Sequence, residues 1–230
     1  MLKNTRIFQD KKQPKESNMS TLVGKKAPDF RANAVVDGKI VSDFSLSQFE
    51  GKKYVILFFY PKDFTFVCPT EILAFQAAKK EFDERNVELI GCSTDTEFCH
   101  LAWIQTPRAN GGIEGVAYPL VADTNKTIAR DYGVLAGCKK TGPDGRECVD
   151  GEMVAYRGLF LIDKNGIVQH EVVNNFPLGR STAEEIRMVD ALQHFEQFGE
   201  VCPMNWHKGE EAMKPSREGV SKYLSESYKK

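Results

Sequence analysis

The sequence predicts an α/β fold in which helices flank a mixed central sheet. Strongly apolar segments alternate with amphipathic segments through much of the chain, and this order is typical of strands that alternate with helices. Asn165-Gly166 separates two later apolar segments, which predicts a hairpin and hence an antiparallel pair in the sheet. A long amphipathic segment follows, so we expect one more helix to pack against the sheet.

The composition limits the classes of partner. The 230 residues include 31 basic and 32 acidic side chains, so the net charge is near zero. A nucleic-acid-binding surface usually shows as an excess of basic residues, and a membrane span needs about 20 consecutive apolar residues. The sequence has neither pattern. We therefore expect no nucleic-acid or membrane partner, and a substrate that long-range charge does not select.

The two ends of the chain differ from its middle. Residues 1–18 are polar and lack the apolar core of a secretory signal, so we expect a disordered leader. Six cysteines without such a signal indicate a reducing, cytoplasmic compartment, in which any disulfide is transient and catalytic. The expected organisation is a disordered leader at 1–18, a folded domain at 19–198 and a C-terminal arm at 199–230.

A cysteine follows the most apolar segment of the chain. Tyr54–Phe59 is continuously apolar, which predicts a strand that is buried on both faces. Cys68-Pro69 comes shortly after it, and proline is favoured at the first position of a helix. Cys68 would then be the N-cap, where free N–H groups and the helix dipole favour a thiolate. The alternative is that Cys68 is a small buried apolar side chain.

The first half of the chain contains two strand–helix units. After Pro69, apolar residues recur at helical spacing with charged residues on the other side, which predicts an amphipathic helix. Val87–Ser93 is a second apolar strand, and Thr94 with Glu97 forms a capping-box pattern for a helix that ends near Pro107. The apolar positions of the first of these helices are Ile72, Phe75, Ala78 and Phe82.

Turn signals divide the rest of the domain. Asp37-Gly38 predicts a hairpin or an edge strand within residues 34–41. A short strand at 118–122 precedes a helix at 123–132 that Gly133 closes. The segment at 136–153 is polar and rich in turn residues, which predicts a surface loop or hairpin.

The last elements close the sheet. Apolar strands at 158–162 and 167–173 flank the Asn-Gly turn, and the whole order fits a thioredoxin-like layout. Ser181 and Glu184 form a capping box for a final helix that ends at Gly199, and the residues beyond it contain little that could build a core. The predicted core positions of this helix are Ile186, Val189, Leu192 and Phe195.

The residues near Cys68 include candidates for a catalytic pocket. A thiolate nucleophile needs access and donors that stabilise the transition state. The Thr65 hydroxyl could turn toward the thiol, and Pro61 could shield the thiolate from water. Arg157 begins a predicted strand whose end could lie beside Cys68. The alternatives are that Thr65 and Pro61 are ordinary turn residues and that Arg157 is a surface cation.

The segment around Cys68 resembles a known active-site signature. Phe58-Phe-Tyr-Pro-Lys-Asp-Phe-Thr-Phe-Val-Cys-Pro-Thr-Glu71 is similar to that of the typical two-cysteine peroxiredoxins, the alkyl hydroperoxide reductase C and thiol-specific antioxidant family. The resemblance covers about residues 20–225. Its further stretches are Asp95, His100-Leu-Ala-Trp103, Tyr132-Gly-Val-Leu135, Arg157-Gly-Leu-Phe160, Gly179-Arg-Ser181 and Glu200-Val-Cys-Pro203.

The resemblance implies a thiol peroxidase for hydrogen peroxide and organic hydroperoxides. Cys68 would be the peroxidatic cysteine, which forms a sulfenic acid. Cys202 would be the resolving cysteine, which comes from the partner subunit and forms a disulfide with Cys68. The pocket would be completed by Pro61, Thr65 and Arg157, with Glu71 and Arg180 as supporting charges.

The resemblance also implies partners. A thioredoxin-type or dedicated flavoprotein reductant would reduce the disulfide, and the chain would form a homodimer and then a decamer of five dimers. No cofactor or metal is expected, since Cys-x-x-Cys and clustered histidines are missing from the sequence. We expect the start of the helix after Cys68 to unwind during turnover, because Cys68 and Cys202 lie in very different parts of the chain.

Three features depart from the family pattern. Gly111-Gly-Ile-Glu114 and Tyr223-Leu224 alter two motifs that hold the active helix folded in members prone to over-oxidation, so we expect a robust enzyme. The segment at 136–153 is longer than usual and contains Cys138 and Cys148, for which we considered plain exposed thiols, a second redox pair and a metal clip. The two remaining cysteines, Cys92 and Cys99, are expected in buried packing.

Two other functions fit parts of the sequence. A disulfide oxidoreductase would need Cys-x-x-Cys at the helix start, where Glu71 occupies the position of the second cysteine. A holdase chaperone that assembles as a ring would be indifferent to replacement of Cys68.

Overall fold

A seven-stranded mixed sheet lies at the centre of the computed structural model, which describes residues 21–228. The predicted leader at 1–18 lies outside these residues. The strands are β1 (Arg31–Val36), β2 (Lys39–Ser45), β3 (Tyr54–Phe59), β4 (Val87–Ser93), β5 (Leu120–Ala122), β6 (Cys138–Thr141), β7 (Glu147–Asp150), β8 (Arg157–Ile162) and β9 (Val168–Asn174).

The sheet order is β2-β1-β5-β4-β3-β8-β9. Strands β3, β4 and β5 run parallel, and every other neighbouring pair is antiparallel. The predicted α/β fold with a mixed sheet is confirmed. Strands β1 and β2 form the predicted hairpin at Asp37-Gly38, and β8 and β9 form the one at Asn165-Gly166, where Gly166 has φ 75°.

Strand β3 is buried on both faces, as its continuous apolarity predicts. Successive side chains of a strand point to opposite faces of the sheet, so a strand between two layers contributes to two cores. The first core includes Val55, Leu57 and Phe59, and the second includes Tyr54, Ile56 and Phe58.

Six helices accompany the sheet in the described chain, and all but the last contribute residues to the two cores. They are α1 (Cys68–Ala77), α2 (Lys79–Glu84), α3 (Glu97–Gln105), α4 (Thr127–Asp131), α5 (Thr182–Phe198) and α6 (Arg217–Ser227), with short 3-10 turns at Leu46–Phe49 and Arg108–Asn110. Within residues 21–228, every helix is too short or too polar to cross a membrane.

The single helix predicted after Pro69 is two helices. Ala78, with φ −85° and ψ 0°, separates α1 from α2. The helical spacing survives the break, because the four predicted apolar positions, Ile72, Phe75, Ala78 and Phe82, are all buried.

Two predicted helix starts are wrong. Thr96, not Thr94, is the N-cap of α3, because its hydroxyl accepts the N–H of Cys99 at 3.2 Å. Helix α4 begins at Thr127 rather than near Asp123. The Asp123 carboxylate accepts the N–H groups of Ile128 at 3.1 Å and Ala129 at 2.8 Å, so it binds the helix from the preceding turn.

The boundaries predicted for α5 are confirmed. Ser181 caps its start by accepting the N–H of Glu184 at 3.4 Å, and Gly199 ends it with φ 67°. Of the predicted core positions, Val189 is buried and Ile186 and Leu192 are partly buried. The prediction that Phe195 belongs to the core is wrong, since this side chain is 50% exposed.

The C-terminal region contributes more packing than its sequence suggests. Trp206 is only 2% exposed, packs on His194 of α5 with 4.9 Å between the centroids of the tilted rings, and donates its indole N–H to the Glu210 carbonyl at 3.0 Å. Helix α6 follows it and is missed by the sequence interpretation. The sequence signal was the helical spacing of Val220, Tyr223 and Leu224, although the helix has no buried residue in the structure.

Candidate active site

Cys68 is the first residue of α1 rather than its N-cap. Val67 is the N-cap, because its carbonyl accepts the Glu71 N–H at 3.3 Å. No side chain caps this end of the helix. Cys68 is 1% exposed and Pro69 is the second helical residue, so the thiol lies buried in the first turn, where the helix dipole favours negative charge.

Arg157 lies against this thiol. It is the first residue of β8, which pairs antiparallel with β3 and therefore begins where β3 ends. Its Nη1 is 3.5 Å from Sγ of Cys68 and 2.6 Å from Oε2 of Glu71, while its Nε donates to the Phe176 carbonyl at 2.7 Å. The arginine is 3% exposed, so a fixed positive charge faces Sγ away from bulk water.

Glu71 is held by a second arginine. Arg180 donates from Nε to Oε1 at 2.8 Å and from Nη2 to Oε2 at 3.0 Å, and its backbone N–H reaches Oε1 at 2.9 Å. Burial raises the pKa of Glu71, but hydrogen bonds and charge from Arg180, together with Arg157, outweigh it and lower the pKa. Glu71 is therefore an ionised carboxylate that links two buried guanidinium groups.

The structure brings four of the predicted site residues into one network, namely Cys68, Glu71, Arg157 and Arg180. Thr65 and Pro61 are both half-buried in the loop between β3 and α1. The Thr65 hydroxyl donates to the Lys62 carbonyl at 2.9 Å and makes no hydrogen bond to Cys68. Phe64, with φ 52°, bends this loop sharply, and its ring packs on Trp103 at 5.6 Å.

A buried polar network supports the same loop. Asp63 accepts the Tyr60 hydroxyl at 2.9 Å and lies 2.7 Å from Nδ1 of His100. Nε2 of His100 lies 3.2 Å from the Val121 carbonyl, so both ring nitrogens face acceptors. The backbone N–H of Asp63 in turn donates to Asp95 at 2.9 Å.

Sequence reasoning missed the role of this network. The residues lie within the motifs that carry the family resemblance, but their chemistry was left unassigned. The available signal was that Asp63 closely follows the buried strand Tyr54–Phe59 and that His100 lies in a predicted helix, where a buried polar group needs a partner.

Ligand atoms of Asp63, Asp95 and Cys99 lie within 4.8 Å of one another. Metal binding would require the Cys99 thiolate. Burial, followed by the charges of Asp63 and Asp95, raises the pKa of Cys99 to about 12. The carboxylates also already accept hydrogen bonds, so the group is better described as part of the loop support.

Cys202 lies elsewhere in the chain. Its half-buried Sγ contacts the Ala191 carbonyl of α5 at 3.6 Å, and no bond joins it to Cys68 within the described chain. Burial raises the pKa of Cys202, against the opposing charge of Arg187. The thiol is therefore protonated while it packs on α5.

The other four cysteines fall into two groups. Cys92 is buried, as expected, and burial raises its pKa well above the ordinary range. Cys99 is only half-buried. Cys138 and Cys148 are exposed on the hairpin of β6 and β7, which forms a two-stranded sheet of its own.

Comparisons with known proteins agree with this site. The AhpC/TSA family model matches residues 23–171, and the model for the C-terminal domain of 1-Cys peroxiredoxin matches residues 191–226. The chain is 51% identical over 207 residues to alkyl hydroperoxide reductase C of Helicobacter pylori strain J99, which is 90% of this chain and 98% of that protein. It is 46% identical to thioredoxin peroxidase of Echinococcus granulosus over 90% of this chain and 100% of that protein.

A solved structure extends the agreement to the fold. The reduced 2-Cys peroxiredoxin of Plasmodium vivax superposes on the chain with a TM-score of 0.80 at 51% identity, covering 90% of this chain and 100% of that one. The chain therefore belongs to the AhpC/TSA family, the peroxiredoxin thiol peroxidases of antioxidant defence.

Proposed function

We propose that Cys68 is the peroxidatic cysteine of this thiol peroxidase. The observation that supports it most directly is the 3.5 Å approach of Arg157 Nη1 to Sγ of a buried cysteine in the first turn of α1. The guanidinium and the free N–H groups of the helix start both stabilise a thiolate. Of the six cysteines, Cys68 alone has such a hydrogen bond from a guanidinium group in the described chain.

In the first step the thiolate attacks one oxygen of the peroxide. A sulfur–oxygen bond forms, the oxygen–oxygen bond breaks, and the second oxygen leaves as hydroxide or alkoxide, which takes up a proton to give water or an alcohol. Cys68 is oxidised by two electrons to a sulfenic acid, and the peroxide is reduced by two. Negative charge moves from sulfur to the leaving oxygen, so the Arg157 charge can stabilise both ends of the transition state.

The remaining predicted residues have supporting roles in this proposal. Glu71 and Arg180 fix the position of Arg157, because Glu71 contacts both arginines. Thr65 and Pro61 lie in the adjacent loop, where the Thr65 hydroxyl is the group available to align a bound peroxide and the Pro61 ring to exclude water.

In the second step Cys202 of a partner subunit condenses with the sulfenic acid. A disulfide forms and water leaves. Both sulfur atoms must first become accessible, since Cys68 is 1% exposed and Cys202 packs on α5. The uncapped start of α1 supports local unwinding there, because a cap would add about 0.5–2 kcal/mol to its stability.

The proposal includes partners and a location. A thioredoxin-type protein or a dedicated flavoprotein reduces the disulfide and restores both thiols. The subunits form homodimers and a decamer in the cytoplasm. Support for assembly comes from the edge strand β9 and from large apolar side chains left exposed on the single chain. These side chains include Phe66, Leu178, Phe198 and Met204.

Single-turnover reaction of the reduced protein with hydrogen peroxide tests the central assignment. Cys68→Ser should abolish peroxide consumption, whereas Cys202→Ser should consume one equivalent and stop at the sulfenic acid. Cys92→Ala is the matched control, because its buried thiol stays protonated. Peroxide consumption by a folded Cys68→Ser protein at the wild-type rate would refute the proposal.

A further inference from the structure

The exposed hairpin places two thiols on one face. In the register of β6 and β7, Cys138 lies opposite Asp150 and Lys140 lies opposite Cys148. Cross-strand partners, and residues two apart on one strand, share a face of a sheet. One face of the hairpin therefore presents two thiols, an ammonium group and a carboxylate. Both strands are exposed throughout, so reductants and other thiols have access to this face.

Lys140 links the members of this face. It forms an ion pair with Asp150, the diagonal partner on the other strand. Lys140 lies directly opposite Cys148 and two residues from Cys138 on the same strand, so one ammonium group lies on the face that carries both sulfurs. A nearby cation favours the thiolate, which is the form that attacks a disulfide.

The hairpin emerges beside the Cys68 pocket. Glu152, at its base, lies 3.2 Å from the ammonium of Lys62, in the loop that also carries Thr65. Such an exposed ion pair adds little stability, but it shows that the hairpin base and the active-site loop are in contact. Arg157 itself follows only a few residues further along the chain.

Strands β6 and β7 can shift relative to each other without exposing a buried face of either strand. Cys138 and Cys148 are diagonal neighbours, about 7–8 Å apart at Cα, whereas a disulfide needs about 4.4–6.8 Å. A slip of two residues places them directly opposite and keeps every side chain on its present face. It shortens the turn, now residues 142–146, to the three residues 142–144. Neither face of β6 or β7 is buried, so the slip exposes no core side chain of these two strands. The base of the hairpin stays anchored by the Ala136 N–H donated to the Val154 carbonyl at 2.9 Å, so the residues between this anchor and the strands must absorb the shift.

We propose that Cys138 and Cys148 form a second, reversible dithiol–disulfide couple that transfers electrons from an external dithiol to the Cys68–Cys202 disulfide. This inference rests on the proposed function, because the oxidant of the hairpin is the disulfide produced there. The chemical class of its electron donor is a dithiol protein or small dithiol.

The exchange is balanced without another reagent. The thiolate of Cys138 attacks one sulfur of the Cys68–Cys202 disulfide, forms a mixed disulfide and releases one thiol. The thiolate of Cys148 then attacks the Cys138 sulfur and releases the second thiol. Two electrons and two protons pass from the hairpin to Cys68 and Cys202, and the hairpin is left with the Cys138–Cys148 disulfide until the external dithiol reduces it.

Peptide mapping under non-reducing conditions tests this transfer. Reduced wild-type protein is mixed with one equivalent of hydrogen peroxide, quenched at intervals with an alkylating agent and digested. A Cys68–Cys202 linkage should appear first and a Cys138–Cys148 linkage should follow as it declines. Cys148→Ser should instead accumulate a mixed disulfide of Cys138 with Cys68 or Cys202.

Two further variants test the origin of the oxidation. Cys68→Ser should show no Cys138–Cys148 linkage after peroxide, although oxidised dithiothreitol should still form it and so report an intact hairpin. Thr65→Val, which keeps the Cys68 thiol but should slow its oxidation, should delay the hairpin linkage so that it still appears only after the Cys68–Cys202 linkage.

The outcomes separate the two proposals. A Cys68–Cys202 linkage with both hairpin thiols still fully alkylated would overturn the relay and leave the proposed function intact. Equal hairpin oxidation in wild type and Cys68→Ser would also overturn it, because peroxide would then act on the hairpin directly. Absence of the Cys68–Cys202 linkage itself would refute the proposed resolving step.

Discussion

Glu71 and Cys68 share one nitrogen of Arg157: its Nη1 is 2.6 Å from the Glu71 carboxylate and 3.5 Å from Sγ of Cys68. The Glu71 carboxylate therefore binds the same Arg157 nitrogen that faces the thiol. Arg180 also donates hydrogen bonds to both oxygens of this carboxylate. The position of the positive charge at Cys68 therefore depends on a buried chain of alternating charges rather than on Arg157 alone.

Replacing Arg157 with lysine should slow the oxidation of Cys68. Lysine keeps the charge but lacks the planar fork that reaches Cys68, Glu71 and the Phe176 carbonyl together. Loss of one charge-assisted hydrogen bond, about 1.5–3 kcal/mol, predicts a decrease of roughly 10- to 150-fold in the second-order rate constant for hydrogen peroxide. Rapid-mixing fluorescence measures this constant.

Arg187→Lys is the matched control for Arg157→Lys. Arg187 pairs with Glu184 on α5 and makes no hydrogen bond to Cys68. Its replacement should leave the oxidation rate within about twofold of wild type, since its partners, Glu184 and the Trp206 carbonyl, do not belong to the Cys68 network. Equal effects of the two replacements would contradict the assigned role of Arg157.

Replacing Glu71 with glutamine should destabilise the protein. Two buried guanidinium groups would lose their common carboxylate, and breaking a buried ion pair typically costs about 3–5 kcal/mol. The lowered pKa of Glu71 means that its contribution is present above the unfolded-state pKa and is lost as the pH falls through the folded-state pKa. The difference from wild type should therefore shrink in acid.

Urea unfolding at neutral and acidic pH measures the effect of Glu71→Gln. Glu50→Gln is the control, because Glu50 forms an exposed ion pair with Lys26. The control should change the unfolding midpoint little at either pH. A Glu71→Gln protein as stable as the control would show that the buried charge chain does not stabilise the fold.

The loop support can be tested through Asp63 and His100. Each replacement, Asp63→Asn or His100→Phe, should destabilise the fold, because it leaves a buried polar partner unsatisfied. A double-mutant cycle should give a coupling energy of about 1–3 kcal/mol. The same variants should slow Cys68 oxidation, since Asp63 lies in the loop with Thr65. Additive effects in urea unfolding would contradict a direct interaction.

Sequence patterns predicted the features that depend on residues close together in the chain. The continuous apolarity of Tyr54–Phe59 requires burial on both faces, and Pro69 requires a helix start at Cys68 to within one residue. The approach of Arg157 to Cys68 could be anticipated because antiparallel pairing brings the start of one strand to the end of another.

Other features depend on how distant segments meet. The contact between Asp63 and His100 arises only when the loop after β3 folds over α3, and no spacing in the sequence encodes it. Trp206 is buried because it fits against α5, although its own segment is polar. The error at Thr94 has a local cause, since Thr96 competes for the same role two residues later.

Glu185 should make stability depend on pH in the direction opposite to Glu71. Burial raises the pKa of Glu185 to about 7, with Arg180 opposing and Glu184 reinforcing the shift, and its Oε2 lies 3.7 Å from Nε2 of His170 without a hydrogen bond. A raised pKa means that the stability contribution is present below the unfolded value, 4.5, and is lost as the pH rises through 7.

Glu185→Gln removes the loss of stability that deprotonation of Glu185 causes as the pH rises. Relative to wild type it should become more stable as the pH rises from 4.5 to 7, by at most about 3 kcal/mol for the 2.5-unit difference. Burial also lowers the pKa of the neighbouring His170. This effect is present in both wild type and Glu185→Gln, so it does not account for a difference between them. The control is Glu184→Gln, since the Arg187 hydrogen bond lowers the pKa of Glu184 and predicts the opposite sign. Parallel urea-midpoint profiles for wild type and Glu185→Gln would contradict the assignment.

The enzyme should resist over-oxidation at Cys68. The sulfenic acid either condenses with Cys202 or reacts with a second peroxide to give the sulfinic acid, and faster opening of α1 favours condensation. The resemblance implies that two motifs hold α1 folded in members prone to over-oxidation, and both differ here, since the loop after α3 reads Gly111-Gly-Ile-Glu114 and α6 contains Tyr223-Leu224. Activity should survive repeated turnover at low micromolar peroxide, and mass spectrometry should find little sulfinic acid at Cys68.

A combined variant tests the cause of this resistance. Ile113→Leu with Glu114→Gly and Leu224→Phe restores both altered motifs, and the first change conserves volume at a fully buried position. The variant should accumulate sulfinic acid at lower peroxide concentrations than wild type, because a more stable α1 delays the approach of Cys202. Its rate of Cys68 oxidation should stay the same, which separates slower resolution from faster attack. If wild type and variant over-oxidise at the same peroxide concentration, these two segments do not control the opening of α1.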